Sequence, residues 1–124
     1  MKIFIALGSL LAFLSVSFGA FGAHVLKPHL GEHYFPIFQT GVQYQMFHSL
    51  GLILIGILAA SVFRGSAGLL QWAGWLLVLG TVLFSGSLYA LSLSRVDAIG
   101  IITPFGGVAF LIGWALLFLA AIVG

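Results

Sequence analysis

Cysteine is absent from this chain of 124 residues, and charged side chains are nearly absent. Without cysteine there is no disulfide framework, no thiolate metal site and no thiol nucleophile. Only 5% of the residues are charged, whereas roughly a quarter are charged in a typical soluble domain. With 62% hydrophobic residues and a mean hydropathy of +1.28, a soluble fold would have to build its surface from apolar side chains. The composition therefore excludes a water-soluble globular protein and predicts that lipid surrounds the chain.

Acidic residues are the scarcest charged class, with two against four Lys and Arg. The basic balance does not indicate a nucleic-acid partner, because the four bases are scattered along the chain. The two carboxylates, Glu32 and Asp97, fall in different predicted connections and are not paired for acid–base work. There is no phosphate-binding loop. We therefore predict no catalytic constellation, no metal and no cofactor.

Four long apolar runs make up most of the chain, and nearly all charges fall in the breaks between them. A spanning helix needs about 20 predominantly apolar residues. Continuous runs favour helices over barrel strands, which alternate over about ten residues. The predicted fold is all-α: an integral membrane four-helix transmembrane bundle, in one domain over residues 1–124. The predicted spans are residues 3–23, 41–63, 68–93 and 100–123.

The longest break covers residues 24–40, and the breaks at 64–67 and 94–99 are short. Tyr34 is an aromatic residue of the kind found at headgroup level, so this connection is predicted to lie at the membrane interface. His29 and His33 are four apart and would share a helix face, as in metal sites. Pro28 and Gly31 oppose such a helix, which favours ordinary interfacial histidines.

The first apolar run also has features of a signal peptide, because Lys2 precedes it and small residues follow at 20–22. The run is longer than a usual signal core, so we expect a retained helix. Orientation is weakly encoded, since Lys2 and Arg64 on one side balance Lys27 and Arg95 on the other. The basic amino terminus favours cytoplasmic termini.

Small residues mark the predicted packing faces, because membrane helices associate where backbones approach closely. One face of the first helix carries such residues at steps of three or four, and a shorter face lies on the fourth helix. Whether these faces meet within one chain or between chains stays open. A shift of 66 residues also aligns Gly8 with Gly74 and Leu11 with Leu77, a hypothesis of duplicated hairpins. The predicted helix-packing residues are Gly8, Ala12, Ser15, Gly19, Ala23, Gly106 and Gly113.

His48 is the most informative single residue, because it lies about 10 Å deep if the second helix enters near residue 41. Thr40, Tyr44 and His48 share one helix face, with Gln45 beside them. Ionisable residues at such depth usually face a bundle interior or a water-filled path. Histidine can carry a proton, ligate a metal or haem, or hydrogen-bond a quinone. The interpretation we favour is an interhelical hydrogen bond that fixes packing.

Further polar residues are expected near His48. His24 lies at the membrane boundary and would bracket a haem together with His48, although two histidines alone specify little. Ser85 and Tyr89 form a stripe on the third helix, and Thr103 begins the fourth. These side chains form either a polar pocket or a satisfied core network. The candidate pocket is His24, Tyr44, Gln45, His48, Ser85, Tyr89 and Thr103.

Four motifs occur in order along the chain: GAFGAH at 19–24, YQMFHSL at 44–50, FSGSLYAL at 84–91 and ITPFGGVAFLIGWALL at 102–117. In this order they resemble the YwdK/YgdD-like small inner-membrane proteins, domain-of-unknown-function family 423. The resemblance implies a four-helix protein of the bacterial inner (cytoplasmic) membrane and supplies no activity. Members often carry an acid and a base four apart at the start of the second helix. Here Gln39 and Gln43 occupy those positions, so the resemblance implies no ion pair.

Three functions follow as hypotheses. The first is a small accessory or structural protein that binds lipid or a membrane partner, in a homo-oligomer or a larger complex. The second is a transporter or ion path lined by the polar residues around His48. The third is a redox protein that binds quinone or haem through His24 and His48. We favour the first, because the chain exposes little outside the membrane and carries no catalytic set.

Overall fold

The computed structural model describes residues 2–123, and all regular secondary structure in this part of the chain is helical. The two ends of the predicted 1–124 domain, Met1 and Gly124, lie outside it. Short 3₁₀ turns at Arg64–Ser66 and Asp97–Ile101 connect the later helices. The α-helices are α1 (Lys2–Phe21), α2 (Lys27–Ala60), α3 (Ala67–Ser94) and α4 (Thr103–Val123).

The connection between α1 and α2 differs from the prediction. Residues 24–40 are helical apart from Gly31, because a π-helical turn at Gly22–Leu26 leads directly from α1 into α2. By length and composition, three continuous helical stretches are suited to crossing a membrane: Lys2–Ala60, Arg64–Ser94 and Asp97–Val123. The predicted count of four helices, with one longer interfacial connection at 24–40, is therefore not matched. Sequence patterns missed this continuity because polar residues do not by themselves end a helix.

The 59-residue first stretch does not run straight. At Gly31 the backbone leaves the helical region with φ 75° and ψ −173°, which redirects the chain. After this break α2 runs back along α1. Gly8 packs on Ile53 near one end of the pair, and Gly22 packs on the Phe38 ring near the other. The two helices are therefore antiparallel neighbours.

The α3–α4 pair repeats this arrangement. Gly113 lies against Leu77, and Gly106 lies against the backbone of Phe84, so the two helices are antiparallel and closely packed. The main apolar core joins all four helices: Phe4 of α1 is fully buried, and it contacts Trp75 of α3 edge to face at 5.2 Å. The buried members of this core are Phe4, Leu52, Ile55, Ala59, Leu70, Ala73, Leu77, Phe110 and Ala120.

The outer surface of the helices is strongly apolar. Phe13 is 67% exposed, Trp72 69% and Leu111 71%, and they lie on three different helices. A protein in water buries large side chains of this kind, whereas lipid accommodates them. The helices therefore present the surface that a membrane protein needs.

Candidate polar site between the helices

Gln45 joins three helices near one end of the core. Its side-chain Nε2 donates to the Leu11 carbonyl of α1 at 2.8 Å, and its Oε1 accepts from the Tyr89 hydroxyl of α3 at 2.6 Å. The side chain is 3% exposed, so both bonds are shielded from water. A buried amide is stable only when both ends are paired, and Gln45 meets that condition.

The contact between α2 and α3 is closest at Gly41. Ser85 Oγ donates to the Gly41 carbonyl at 2.6 Å. A Cβ on Gly41 would lie 2.8 Å from Cε1 of Tyr89, so glycine is required for this approach. Gly41, Gln45, Ser85 and Tyr89 therefore form one interhelical network.

His48 links α2 to α4 rather than to α3. Its Nδ1 lies 2.7 Å from the Tyr44 carbonyl, which can only accept, so Nδ1 carries the hydrogen. Its Nε2 accepts from the indole Nε1 of Trp114 at 3.0 Å. The neutral imidazole is thus fully paired. A proton added at Nε2 would face the indole N–H, a donor against a donor, so this geometry selects the neutral form.

Aromatic rings surround His48 on the side of α4. Phe110 stacks on the imidazole with ring centroids 3.5 Å apart, and Tyr44 packs on Phe84 at 4.4 Å. Between α2 and α4 these rings and Pro104 line an open groove of about 480 Å³ on the outer surface. The Trp114 and Phe110 positions were missed in the sequence because they lie among many apolar aromatics and no spacing marks them.

The remaining predicted pocket residues, Thr103 and His24, do not hydrogen-bond to His48. Thr103 Oγ1 is paired with Ser87 Oγ at 2.5 Å, which joins the start of α4 to α3. His24 is exposed in the π-helical turn beyond α1. Phe38 packs near that turn, and His48 lies about 15 Å further along α2 at 1.5 Å per residue. The structure therefore does not bring His24 and His48 together around a haem.

The interior polar atoms are paired throughout the described chain. Within residues 2–123 no buried side-chain nitrogen or oxygen lacks a hydrogen-bond partner. The same part of the chain contains no group of three His, Asp or Glu side chains placed to hold a metal ion. His29 and His33 flank the break at Gly31, so they do not share a continuous helix face.

The predicted small residues lie mostly between neighbouring helices of the same chain. A Cβ on Gly8 would lie 2.6 Å from the Ser49 carbonyl, and one on Gly19 would touch Val42 at 3.5 Å. Ser15 is 1% exposed and Ala12 half-buried. Ala23 departs from the face, because it falls in the π-helical turn and is exposed.

A second cluster ties the two connections at one end of the helices. Arg95 Nη2 donates to the His29 carbonyl at 2.6 Å, and its guanidinium lies 5.5 Å from the centre of the Tyr34 ring. The Tyr34 hydroxyl donates to Asp97 Oδ1 at 3.0 Å. This hydrogen bond raises the pKa of Tyr34 above its usual value, because it stabilises the protonated phenol. No spacing in the sequence connects these residues.

These features define a small helical membrane protein whose interior polar groups are engaged in helix packing. The match to the family model "Protein of unknown function (DUF423)" covers residues 18–107. The chain is 48% identical to the UPF0382 membrane protein YwdK of Bacillus subtilis, over 98% of each chain. It belongs to this family, and the predicted resemblance is confirmed.

Further relatives cover nearly the whole chain. The UPF0382 membrane protein SH2409 of Staphylococcus haemolyticus is 47% identical, over 97% of this chain and 95% of its own. SAB0533 of Staphylococcus aureus is 44% identical over the same shares. No solved structure matches. The relatives are named membrane proteins, and their names state no activity.

Proposed function

We propose that this protein is an accessory or structural membrane protein that crosses the bilayer four times and binds lipid or a membrane partner through its outer face. The observation that carries this proposal is the pairing of the interior polar atoms. Both ring nitrogens of His48 are engaged, and so are both ends of the Gln45 amide. A path for protons or solutes needs polar groups that are free to exchange partners, whereas these groups connect helices.

The four crossings are supported by the antiparallel packing. α1 is 20 residues long, or about 30 Å, which is the thickness of a hydrocarbon core. The last part of α2 runs back beside it, and α3 and α4 form a second antiparallel pair. The contact of Tyr34 with Asp97 brings the α1–α2 and α3–α4 connections to one end. We propose that this end lies outside the cytoplasm, with both termini on the cytoplasmic side of the cell membrane.

The topology can be tested with single cysteines, because the natural chain has none. Glu32→Cys at the connection end and Ser61→Cys at the opposite end both replace exposed residues. In intact cells an impermeant maleimide should label Glu32→Cys and spare Ser61→Cys until the membrane is opened. The reverse pattern would invert the orientation, and equal labelling would contradict the paired crossings.

The structural role of the polar network can be separated from a transport role at the His48–Trp114 bond. His48→Leu and Trp114→Phe each remove this bond, and each should lower stability by about 1 kcal/mol, the scale of interhelical hydrogen bonds in membranes. A proton path would depend on the imidazole and not on the indole. Proteoliposomes with an internal pH dye should therefore show no protein-dependent flux. A flux abolished by His48→Leu and retained by Trp114→Phe would support the transporter instead.

The partner can be sought by native mass spectrometry of protein released from its membrane in mild detergent. A retained phospholipid, a second copy or another membrane protein would support the proposed binding role. A retained quinone or haem would favour the redox alternative. A bare monomer from several mild detergents, with the chain still folded, would contradict stable binding of a partner.

A further inference from the structure

Residues 23–30 lie between Gly22, which packs on the Phe38 ring, and Gly31, where the backbone changes direction. Gly31 has φ 75° and ψ −173°, a conformation essentially restricted to glycine. A Cβ there would meet nothing within 4 Å, so only the backbone geometry demands glycine. Gly22 begins the π-helical turn, and turns of this kind are frequent at functional sites. The segment between them is therefore a short helical unit that starts in the π-helical turn and ends at the backbone break at Gly31.

One hydrogen bond from outside the segment secures it to the α3–α4 connection. Arg95 Nη2 donates to the His29 carbonyl at 2.6 Å. Arg95 is the one non-glycine residue of the described chain with positive φ, at 62°, and its backbone N–H bonds the Leu91 carbonyl. Its guanidinium also lies over the Tyr34 ring. The end of α3 therefore presents this side chain to the segment in a defined position.

Two leucines hold the inner side of the segment against the helices. Leu30 is 6% exposed and packs in a cluster with Phe35 and Phe38, and Leu26 packs against the same cluster. The rest of the segment is almost entirely exposed, including His24 and Lys27. The segment therefore has a buried apolar side, and its exposed side includes the polar residues His24, Lys27 and His29.

Leu26 forms one wall of an apolar cavity of about 210 Å³ that is partly open to the outer surface, where Phe21 is exposed. Its other walls come from the ends of α1 and α3 and from α2, and Leu26 is the only contribution from residues 23–30. Tyr89 forms part of the wall while its hydroxyl bonds Gln45. The cavity residues are Phe18, Phe21, Leu26, Phe38, Tyr89 and Leu93.

We propose that residues 23–30 form a flap that is hinged at Gly22 and Gly31 and latched by Arg95. In the closed state shown here Leu26 and Leu30 cover the end of the helices. In the open state the flap swings away and removes the Leu26 wall, so the cavity and the Tyr89 ring become more accessible from the membrane surface. The latch is a single charge-assisted hydrogen bond at an exposed position, so a modest perturbation of Arg95 shifts the balance.

The flap can be tested with Leu30→Cys as a reporter, because its thiol would be the only one in the chain. The latch is removed with Arg95→Asn, since asparagine tolerates positive φ and is too short to reach His29. Arg64→Asn is the matched control: Arg64 also donates to a backbone carbonyl, that of Ala60 at 3.0 Å. It lies in the α2–α3 connection and touches no part of the flap.

We expect Arg95→Asn to speed maleimide labelling of Leu30→Cys about fivefold, which corresponds to about 1 kcal/mol in the opening equilibrium. Arg64→Asn should leave the rate unchanged. Ser85→Cys, 1% exposed between α2 and α3, reports general loosening and should stay unreactive in both backgrounds. Equal rates in the two backgrounds would overturn the latch, and a parallel rise at Ser85→Cys would show loss of the fold instead of a flap.

Gly31→Ala gives a second test that leaves Arg95 in place. Alanine disfavours the backbone conformation of the closed flap, so labelling of Leu30→Cys should again rise while Ser85→Cys stays protected. The hinge is refuted if Leu30→Cys is labelled at the same rate with and without Gly31→Ala while the fold stays intact. If Leu30→Cys does not fold, Leu26→Cys serves as the reporter, with the same outcomes required.

Discussion

The Gln45–Tyr89 hydrogen bond allows a quantitative test of how the helices are held together. Interhelical side-chain hydrogen bonds in membranes contribute about 0.6 kcal/mol on average and about 1.7 at most. Gln45→Leu removes two such bonds and leaves the Tyr89 hydroxyl without its partner, so unfolding should become easier by about 1–3 kcal/mol. The Leu11 carbonyl also accepts from Ser15 Oγ at 2.9 Å, so it retains a side-chain donor.

Tyr89→Phe should cost about 1 kcal/mol, because it leaves only the Gln45 Oε1 unpaired. The double variant removes both partners, and its cost should fall short of the sum of the single costs by about 0.6–1.7 kcal/mol. The assay is equilibrium unfolding in mixed micelles, followed by tryptophan fluorescence and circular dichroism.

Tyr44→Phe is the control for this cycle. Within residues 2–123 the Tyr44 hydroxyl makes no hydrogen bond, and its ring is retained by phenylalanine. The free energy of unfolding of Tyr44→Phe should differ from that of the parent protein by no more than about 0.5 kcal/mol. A coupling between Gln45 and Tyr89 below about 0.3 kcal/mol would refute the reasoning, because that is the error of additivity for independent sites.

Two further predictions concern packing and the connection cluster. Gly106→Ala places a Cβ 2.8 Å from Cα of Phe84, so it should destabilise the protein by about 1–3 kcal/mol in the same unfolding assay. A Cβ at Gly86 would meet nothing within 4 Å, so Gly86→Ala should be neutral or stabilising. Equal losses of stability in Gly86→Ala and Gly106→Ala would contradict the packing argument. The Tyr34 phenol should titrate above its ordinary pKa in a ¹³C-tyrosine NMR titration, and Asp97→Asn should lower that pKa. Because the pKa of Tyr34 is raised in the folded protein, the stabilisation from its hydrogen bond to Asp97 is complete below the unfolded pKa and is lost as pH rises through the folded pKa. An unchanged Tyr34 titration in Asp97→Asn would show that this hydrogen bond does not raise the pKa.

The hairpin duplication suggested by the sequence stays a prediction, although the two halves show similar local bonding. Ser15 Oγ donates to the Leu11 carbonyl at 2.9 Å, and Thr81 Oγ1 donates to the Leu77 carbonyl at 2.8 Å. Both pairs correspond under the shift of 66 residues. This likeness is local, because a hydroxyl bonding the carbonyl four residues back is common in membrane helices.

The sequence by itself determined the class of protein and most helix limits. Apolar runs long enough to span lipid predict helices over 3–23, 68–93 and 100–123, and the structure places α1, α3 and α4 within three residues of those limits. Hydropathy succeeds here because lipid leaves the backbone no other way to pair its own groups. It failed at residues 24–40, where the turn stays helical and only the glycine at position 31 breaks it.

Only the tertiary structure decided which polar groups meet. The place of His48 in an apolar run follows from the sequence, but its partner Trp114 lies 66 residues away and no local spacing marks it. The bond from Arg95 to His29 likewise depends on how the two connections come together. Hydrophobic periodicity reports which face of a helix is buried, whereas the partner across that face depends on the packing of backbones that approach closely at glycine.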